Sequence, residues 1–321
     1  PTDHPLHAAP PVTFMTPEVA EILRGSDAIL ALDWIDLAGT MAGAWKDIPP
    51  VTVIHASLDQ YSHNGWSMDD QGLPPVDIPL LAGPEAAVAD LLHAVRAARP
   101  ELPELPPAGA PFEDAEPTGD LVVPDIARAL RQAVGDRDAT LIRASGGWPV
   151  GAWHFRAPLD YLGIDGGGGI GSGPGISVGA ALALKGSGRL PVAVLGDGDY
   201  LMGVNALWTA AHYRLPLLIV VANNRSYFND EVHQDRIART RGRNPDNRWI
   251  GQRIADPELD LAKLAEAQGL TGIGPVTDRD GLAAALARAV GLVEEGGSVV
   301  VDVRVTPQIA AAAASRSGER G

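Results

Sequence analysis

Continuous apolar runs recur along this chain, and between them apolar residues fall three and four positions apart. The runs at 28–32, 51–55, 140–143, 191–195, 217–222 and 298–303 predict strands, the later ones apolar enough to be covered on both faces. The stretches 16–24, 85–98, 125–134, 176–185, 204–212, 260–268 and 281–294 predict helices. Strand and helix alternate, so the connections cross over and the sheets are parallel. A doubly wound α/β sheet is therefore expected over 121–305, preceded over 1–99 by a smaller α/β layer of about three βα elements. Residues 100–120, rich in Pro, Glu, Ala and Gly, read as a linker, and 306–321 as a flexible C-terminal arm.

Composition narrows the partners. Across 321 residues, 40 acidic side chains oppose 25 basic ones for a net charge of −15, a field that repels a phosphate backbone, so no nucleic acid is expected. The longest apolar stretches fall far short of the roughly 20 residues that a membrane span needs. There is no cysteine, which excludes disulfides, thiolate metal sites and a cysteine nucleophile. The first residues lack a secretory pattern, and a cytoplasmic location is the default expectation.

Two features carry candidate chemistry. Residues 166–175 read GGGGIGSGPG, and Gly166, Gly168 and Gly171 formally satisfy a dinucleotide fingerprint. No buried strand leads directly into that run, so a close-approach loop entering a helix is the stronger reading. The second feature is Gly196-Asp197-Gly198 at the end of one expected strand and Asn223-Asn224 at the end of the next, with Asn224 following the aspartate by 27 residues. One helix separates the strands, so both motifs reach the carboxyl ends of neighbouring strands, where such sheets bind ligands. A carboxylate, an amide oxygen and backbone carbonyls suit Mg²⁺, and the glycines leave N–H groups free to face a diphosphate.

The run VLGDGDYLMGVNALWTAAHYRLPLLIVVANN resembles the thiamine diphosphate motif of the acetolactate synthase and benzoylformate decarboxylase group. The resemblance covers about 180 residues and implies a thiamine diphosphate-binding fold. It implies that Asp197, the Asn224 side chain and the Ser226 backbone carbonyl ligate Mg²⁺, with Gly196 and Gly198 framing the aspartate. Gly169-Ile170-Gly171-Ser172-Gly173 is similar to the segment that props the cofactor in a bent V shape, which makes Ile170 the prop and Gly171 its neighbour. By the same likeness Ser145, Gly146 and Gly147 contact the diphosphate, and Asp199 offers its backbone N–H there. The opening residues Asp3-His4-Pro5-Leu6 and the text SDAILAL at 26–32 look like the second half of the family's middle domain.

In the family a glutamate on a separate pyrimidine-binding domain activates the cofactor, and nothing upstream of residue 100 resembles that domain. The resemblance therefore implies a non-oxidative lyase or carboligase acting on a 2-keto acid or related acyl donor. It would be completed by a pyrimidine-binding chain or segment, in a homo- or hetero-oligomer. A non-catalytic cofactor-binding or regulatory subunit is the alternative. The text after Asn224 departs from the acetolactate synthase continuation, and Tyr227, Phe228, Asn229, Glu231 and His233 are candidates for shaping substrate or moving protons, while Tyr227 and Phe228 also read as packing residues and Asn229, Asp230 and Glu231 as a helix N-terminus. Arg236, Arg239, Arg241 and Arg243 could meet an acidic substrate, or simply form a solvated face.

Overall fold

The computed structural model describes residues 4–9, 15–34, 36–45, 47–59, 73–99, 101, 104, 119–153, 155–163 and 169–307. The three glycines at 166–168, most of the expected linker and all but the start of the expected C-terminal arm lie outside them. The described residues divide into two compact units, one within 4–104 and one within 119–307.

The smaller unit is a parallel sheet of β1 (Ala28–Leu32), β2 (Thr52–Ala56) and β3 (Ile78–Leu80), in that order. Its helices are α1 (Pro17–Arg24), α2 (Leu37–Ala44) and α3 (Pro84–Ala98). The Thr16 side chain accepts from Val19 N and the Asp36 side chain from Gly39 N, which caps the first two helices. Ala31, Leu37, Met41 and Val53 make a small core. Neither α2 nor β3 was expected, because LAGTMAGA has no polar face to set a helical period and IPL is only three residues long.

The larger unit begins with α4 (Val123–Val134), β4 (Ala139–Arg143), α5 (Gly173–Leu184), β5 (Leu190–Gly196), α6 (Asp197–Gly203), α7 (Leu207–Tyr213) and β6 (Leu217–Asn223). It continues with α8 (Phe228–Thr240), α9 (Leu261–Ala267), β7 (Thr271–Val276), α10 (Arg279–Glu294) and β8 (Ser298–Arg304). All pairings are parallel in the order β4-β5-β6-β8-β7. Successive strand residues face opposite sides. Leu218, Val220, Val299 and Val301 pack with α4 and α10, whereas Leu217, Ile219, Val221 and Val300 pack with α5, α7 and α9. That double covering is why these strands read as unbroken apolar runs.

Three departures from the expected elements bear on the site. The helix expected over 204–212 starts at Asp197 itself, as α6, and reaches α7 through a 3₁₀ turn at Val204–Ala206. The polar stretch after Asn224 contains α8, whose sequence FNDEVHQDRIART lacks a continuous apolar stripe. Strand β7 was not expected because TGIGPV carries two glycines and a proline, which an edge strand tolerates.

Candidate functional site

Strands β5 and β6 run side by side, with Gly196 opposite Ala222, so Asp197 and Asn224 leave the same end of the sheet. Asp197 opens α6 and is 2% exposed. Its Oδ1 accepts from Gly198 N at 3.0 Å and its Oδ2 from Ser226 N at 3.1 Å. Asn224 Oδ1 accepts from the same Ser226 N–H at 2.9 Å. A carboxylate oxygen and an amide oxygen thus converge on one backbone nitrogen. Burial pushes the Asp197 carboxyl up to about 6, against the pull of the N–H groups of Gly198, Arg225 and Ser226.

The loop after β6 is held from two sides. The Asn223 amide donates to Asp302 Oδ1 on β8 at 2.8 Å, while its own oxygen accepts from Arg225 N at 3.2 Å. Arg225 takes a left-handed backbone, φ +58°, which turns the chain between the two asparagines and Ser226. A single bridge pairs Ser226 with Arg253: Tyr227 N donates to Gln252 O and Ile254 N to Arg225 O. Gly198 has no side chain because the Tyr227 ring lies there, and a Cβ would stand 2.3 Å from its Cε1.

Other residues singled out from the sequence take distinct places. Ser145, Gly146 and Gly147 form the turn after β4, where Trp148 N donates to Ser145 O and Gly147 has φ +83°. Ser145 Oγ is buried with no hydrogen-bond partner among the described residues, a donor without an acceptor. Ile170 stands just before α5, 46% exposed, so its apolar side chain is not spent on the core. Glu231 is buried in α8, where its Oε1 accepts from Ser226 Oγ at 2.5 Å and lies 3.7 Å from Arg253 Nε. That contact brings Glu231 to the loop that follows β6. His233 is exposed on the same helix, with Nδ1 2.9 Å from Arg236 Nη2, and no contact brings it to Asp197 or Asn224. Arg239 pairs with Asp235 at 2.7 Å on the exposed side of α8.

Sequence reasoning missed Asp302 and Arg143. Asp302 is fully buried next to the apolar run Val299–Val301 of β8, with its carboxyl raised by burial. A lone acid inside SVVVDVR was the available signal. Arg143 closes β4 in the same way, a charge at the end of ATLIR.

Among the described residues no three His, Asp or Glu side chains gather as a metal-binding group. A cation at this site would therefore rely on mixed oxygen donors, and the neighbouring Asp197 carboxylate and Asn224 amide oxygen are hard donors of the kind Mg²⁺ takes. A buried carboxylate raised to about 6 fits a place where a cation offsets the burial. Among the described residues no helix is long and apolar enough to cross a membrane.

Comparison with known proteins bears on the family of the larger unit. Residues 144–303 match the family model "Thiamine pyrophosphate enzyme, C-terminal TPP binding domain". Benzoylformate decarboxylase of Pseudomonas aeruginosa is 34% identical over 141 residues, which is 43% of this chain and 25% of that protein. Acetolactate synthase 1 of Nicotiana tabacum is 27% identical over 195 residues, 59% of this chain and 28% of that one. The crystal structure of benzoylformate decarboxylase from Polynucleobacter necessarius shares the fold, with a TM-score of 0.72 at 20% identity, covering 97% of this chain and 55% of that one. The chain thus spans about a quarter of these two curated relatives and about half of that solved chain. Through residues 144–303, about half its length, this chain belongs to the thiamine pyrophosphate enzymes, of which it carries the C-terminal, cofactor-binding domain.

Proposed function

We propose that this chain is the diphosphate-binding portion of a non-oxidative thiamine diphosphate-dependent lyase or carboligase acting on a 2-keto acid or related acyl donor. The observation that carries the reading is the convergence of Asp197 Oδ2 and Asn224 Oδ1 on Ser226 N at the ends of adjacent parallel strands. In this reading Asp197, Asn224 and the Ser226 carbonyl hold Mg²⁺. The turn Ser145-Gly146-Gly147 and the first N–H groups of α6, Asp199 among them, receive the diphosphate. Ile170 props the bent cofactor, and its exposed side chain supports that role. When bound, the cofactor would supply a nucleophilic carbon for a keto group and a cationic ring as the electron sink for loss of CO₂.

The chain's own residues bind and orient. Glu231 fixes the Ser226 hydroxyl and with it the loop that would hold the metal. Tyr227 covers Gly198 and screens the diphosphate end from water. The pyrimidine end of the cofactor requires a glutamate from a pyrimidine-binding domain, supplied by another chain or segment in an oligomeric, cytoplasmic assembly.

Calorimetry with Mg²⁺ and thiamine diphosphate tests the anchor, with saturable, Mg²⁺-dependent binding expected. Light scattering and CO₂ release from several 2-keto acids, with and without a co-produced pyrimidine-binding chain, test the rest. Activity is expected only in the assembly. A chain that binds the cofactor yet releases no CO₂ in any such assembly would make it the non-catalytic subunit instead.

A further inference from the structure

Asp199 belongs to the same run as Asp197 yet bonds to a different loop, and it is 6% exposed. Its Oδ1 accepts from Gly171 N at 2.6 Å and from Gly173 N at 3.1 Å. Its Oδ2 lies 3.3 Å from Arg143 Nε, and the same guanidinium donates through Nη1 to Ser172 Oγ at 3.1 Å. Three consecutive residues, 171 to 173, are thus gripped by two oppositely charged side chains, one from the end of β4 and one from the first turn of α6. The fit leaves no room. A Cβ on Gly173 would stand 2.2 Å from Asp199 Oδ2, and one on Gly171, where φ is +98°, would stand 2.9 Å from Met202 Cβ.

Burying an ion pair is a poor way to gain stability, because desolvation offsets much of the attraction. It is a good way to fix one backbone geometry, since a charged fork aligns N–H and hydroxyl partners that apolar contacts leave free to slide. The residue that gains from this is Ile170, the neighbour of the gripped segment. Its exposed side chain has no core packing to fix it, so its place is set by the backbone on its C-terminal side.

We infer that Arg143 and Asp199 are positioning residues for Ile170. Through α6 they join the loop that props the cofactor to the turn that anchors its diphosphate, making prop and anchor one rigid piece. The inference rests on the reading of Ile170 as the prop.

The test uses the full chain and the variants Asp199→Ala, Asp199→Asn and Arg143→Gln. In the cofactor-free protein, amide exchange at Gly171 and Gly173 should accelerate at least tenfold in Asp199→Ala, with the amides of β5 and β6 unchanged. Calorimetry then compares Mg²⁺-pyrophosphate, which touches only the anchor, with Mg²⁺-thiamine diphosphate, which also needs the prop. In Arg143→Gln, affinity for thiamine diphosphate should fall at least tenfold while that for pyrophosphate changes less than twofold. In amide exchange, Asp199→Asn, which keeps the oxygen that accepts from Gly171 and Gly173, should fall between Asp199→Ala and the wild type. Unchanged exchange at Gly171 and Gly173, or an equal loss for both ligands, would overturn the inference, because a merely structural pair moves both alike. A wild-type chain that holds thiamine diphosphate no tighter than pyrophosphate would overturn the reading of Ile170 instead, and the exchange rates would still decide whether the clamp exists.

Discussion

The five-stranded sheet leaves Val192, Val194, Leu217, Ile219, Val221 and Val300 without exposed surface, whereas the three-stranded sheet leaves Leu30, Leu32, Ile78 and Leu80 each more than a third exposed. Each sheet sends out an acid directly after a strand, and the two acids differ accordingly. Asp33, after β1, is exposed, and its Oδ1 accepts from the Ser57 hydroxyl at 2.8 Å. Asp197, after β5, is buried, accepts from backbone N–H groups, and is pushed up to about 6. The covering beneath a strand end decides how much electrostatic strain its loop can hold. Opening the loop around Asp197 would disturb strands packed on both faces, so the site stays closed around an unfavourably buried charge. The loop after β1 has no such backing.

Removing the buried charge should have the largest effect. On the proposed reading, Asp197→Ala should lower affinity for Mg²⁺-thiamine diphosphate by at least about a hundredfold while the chain stays folded, because as a metal ligand the carboxylate would carry binding energy rather than core packing. Calorimetry and circular dichroism on the same sample check both halves. Unchanged affinity in a folded variant would remove Asp197 from the metal site.

The same contrast predicts where truncation hurts. Ile219→Ala, in the central strand β6 with no exposed surface, should cost about 3 kcal/mol in urea denaturation. A loss below about 1 kcal/mol would mean that the double covering of this sheet is looser than its burial indicates.

A pH titration sharpens the comparison of the two acids. The folded carboxyl of Asp197 titrates near 6 against 3.8 for the free side chain, so the folded chain holds this proton more tightly than the unfolded one. Stability is therefore greatest below the unfolded value and declines as pH rises between the two, by about 3 kcal/mol at one order of magnitude in affinity per 1.4 kcal/mol. A cation binds only the deprotonated form. Affinity for Mg²⁺-thiamine diphosphate should hence fall about tenfold per unit of pH below about 6, and the fall should vanish in Asp197→Asn, whose residual affinity should be flat with pH. A wild-type profile flat down to pH 4.5 would contradict the buried, metal-competing carboxylate.

How much of this was legible in the sequence depends on how local the determining contacts are. Asp197 and Asn224 could be read because an apolar strand precedes each one and the parallel crossover brings their ends together. Asn223 could not, since its partner Asp302 lies in a strand almost at the other end of the unit. Glu231 was legible as a polar residue near the site but not as the acceptor of the Ser226 hydroxyl, because that contact depends on α8, whose sequence shows no apolar period. Arg143 and Asp199 looked like a strand end and a diphosphate turn, and only the folded loop shows them gripping Gly171, Ser172 and Gly173. The smaller sheet was legible in β1 and β2, which carry β-branched or continuous apolar runs, and not in β3.

The smallest expected effect lies on α3 and completes the comparison. Val88, Leu91, Leu92 and Val95 recur three and four apart, a stripe that in the larger unit would be covered, yet each is more than a third exposed. A residue that keeps that much of its surface in water has little transfer energy to lose and leaves no cavity when truncated. Leu92→Ala in the chain alone should therefore change stability by less than about 0.5 kcal/mol, several times less than Ile219→Ala, even though it deletes a larger apolar group than many core substitutions do. Urea denaturation of the two variants side by side measures the difference. A cost near 2 kcal/mol for Leu92→Ala would show that the stripe on α3 is covered in solution, and the contrast between a finished and an unfinished sheet would then fail at its weaker end.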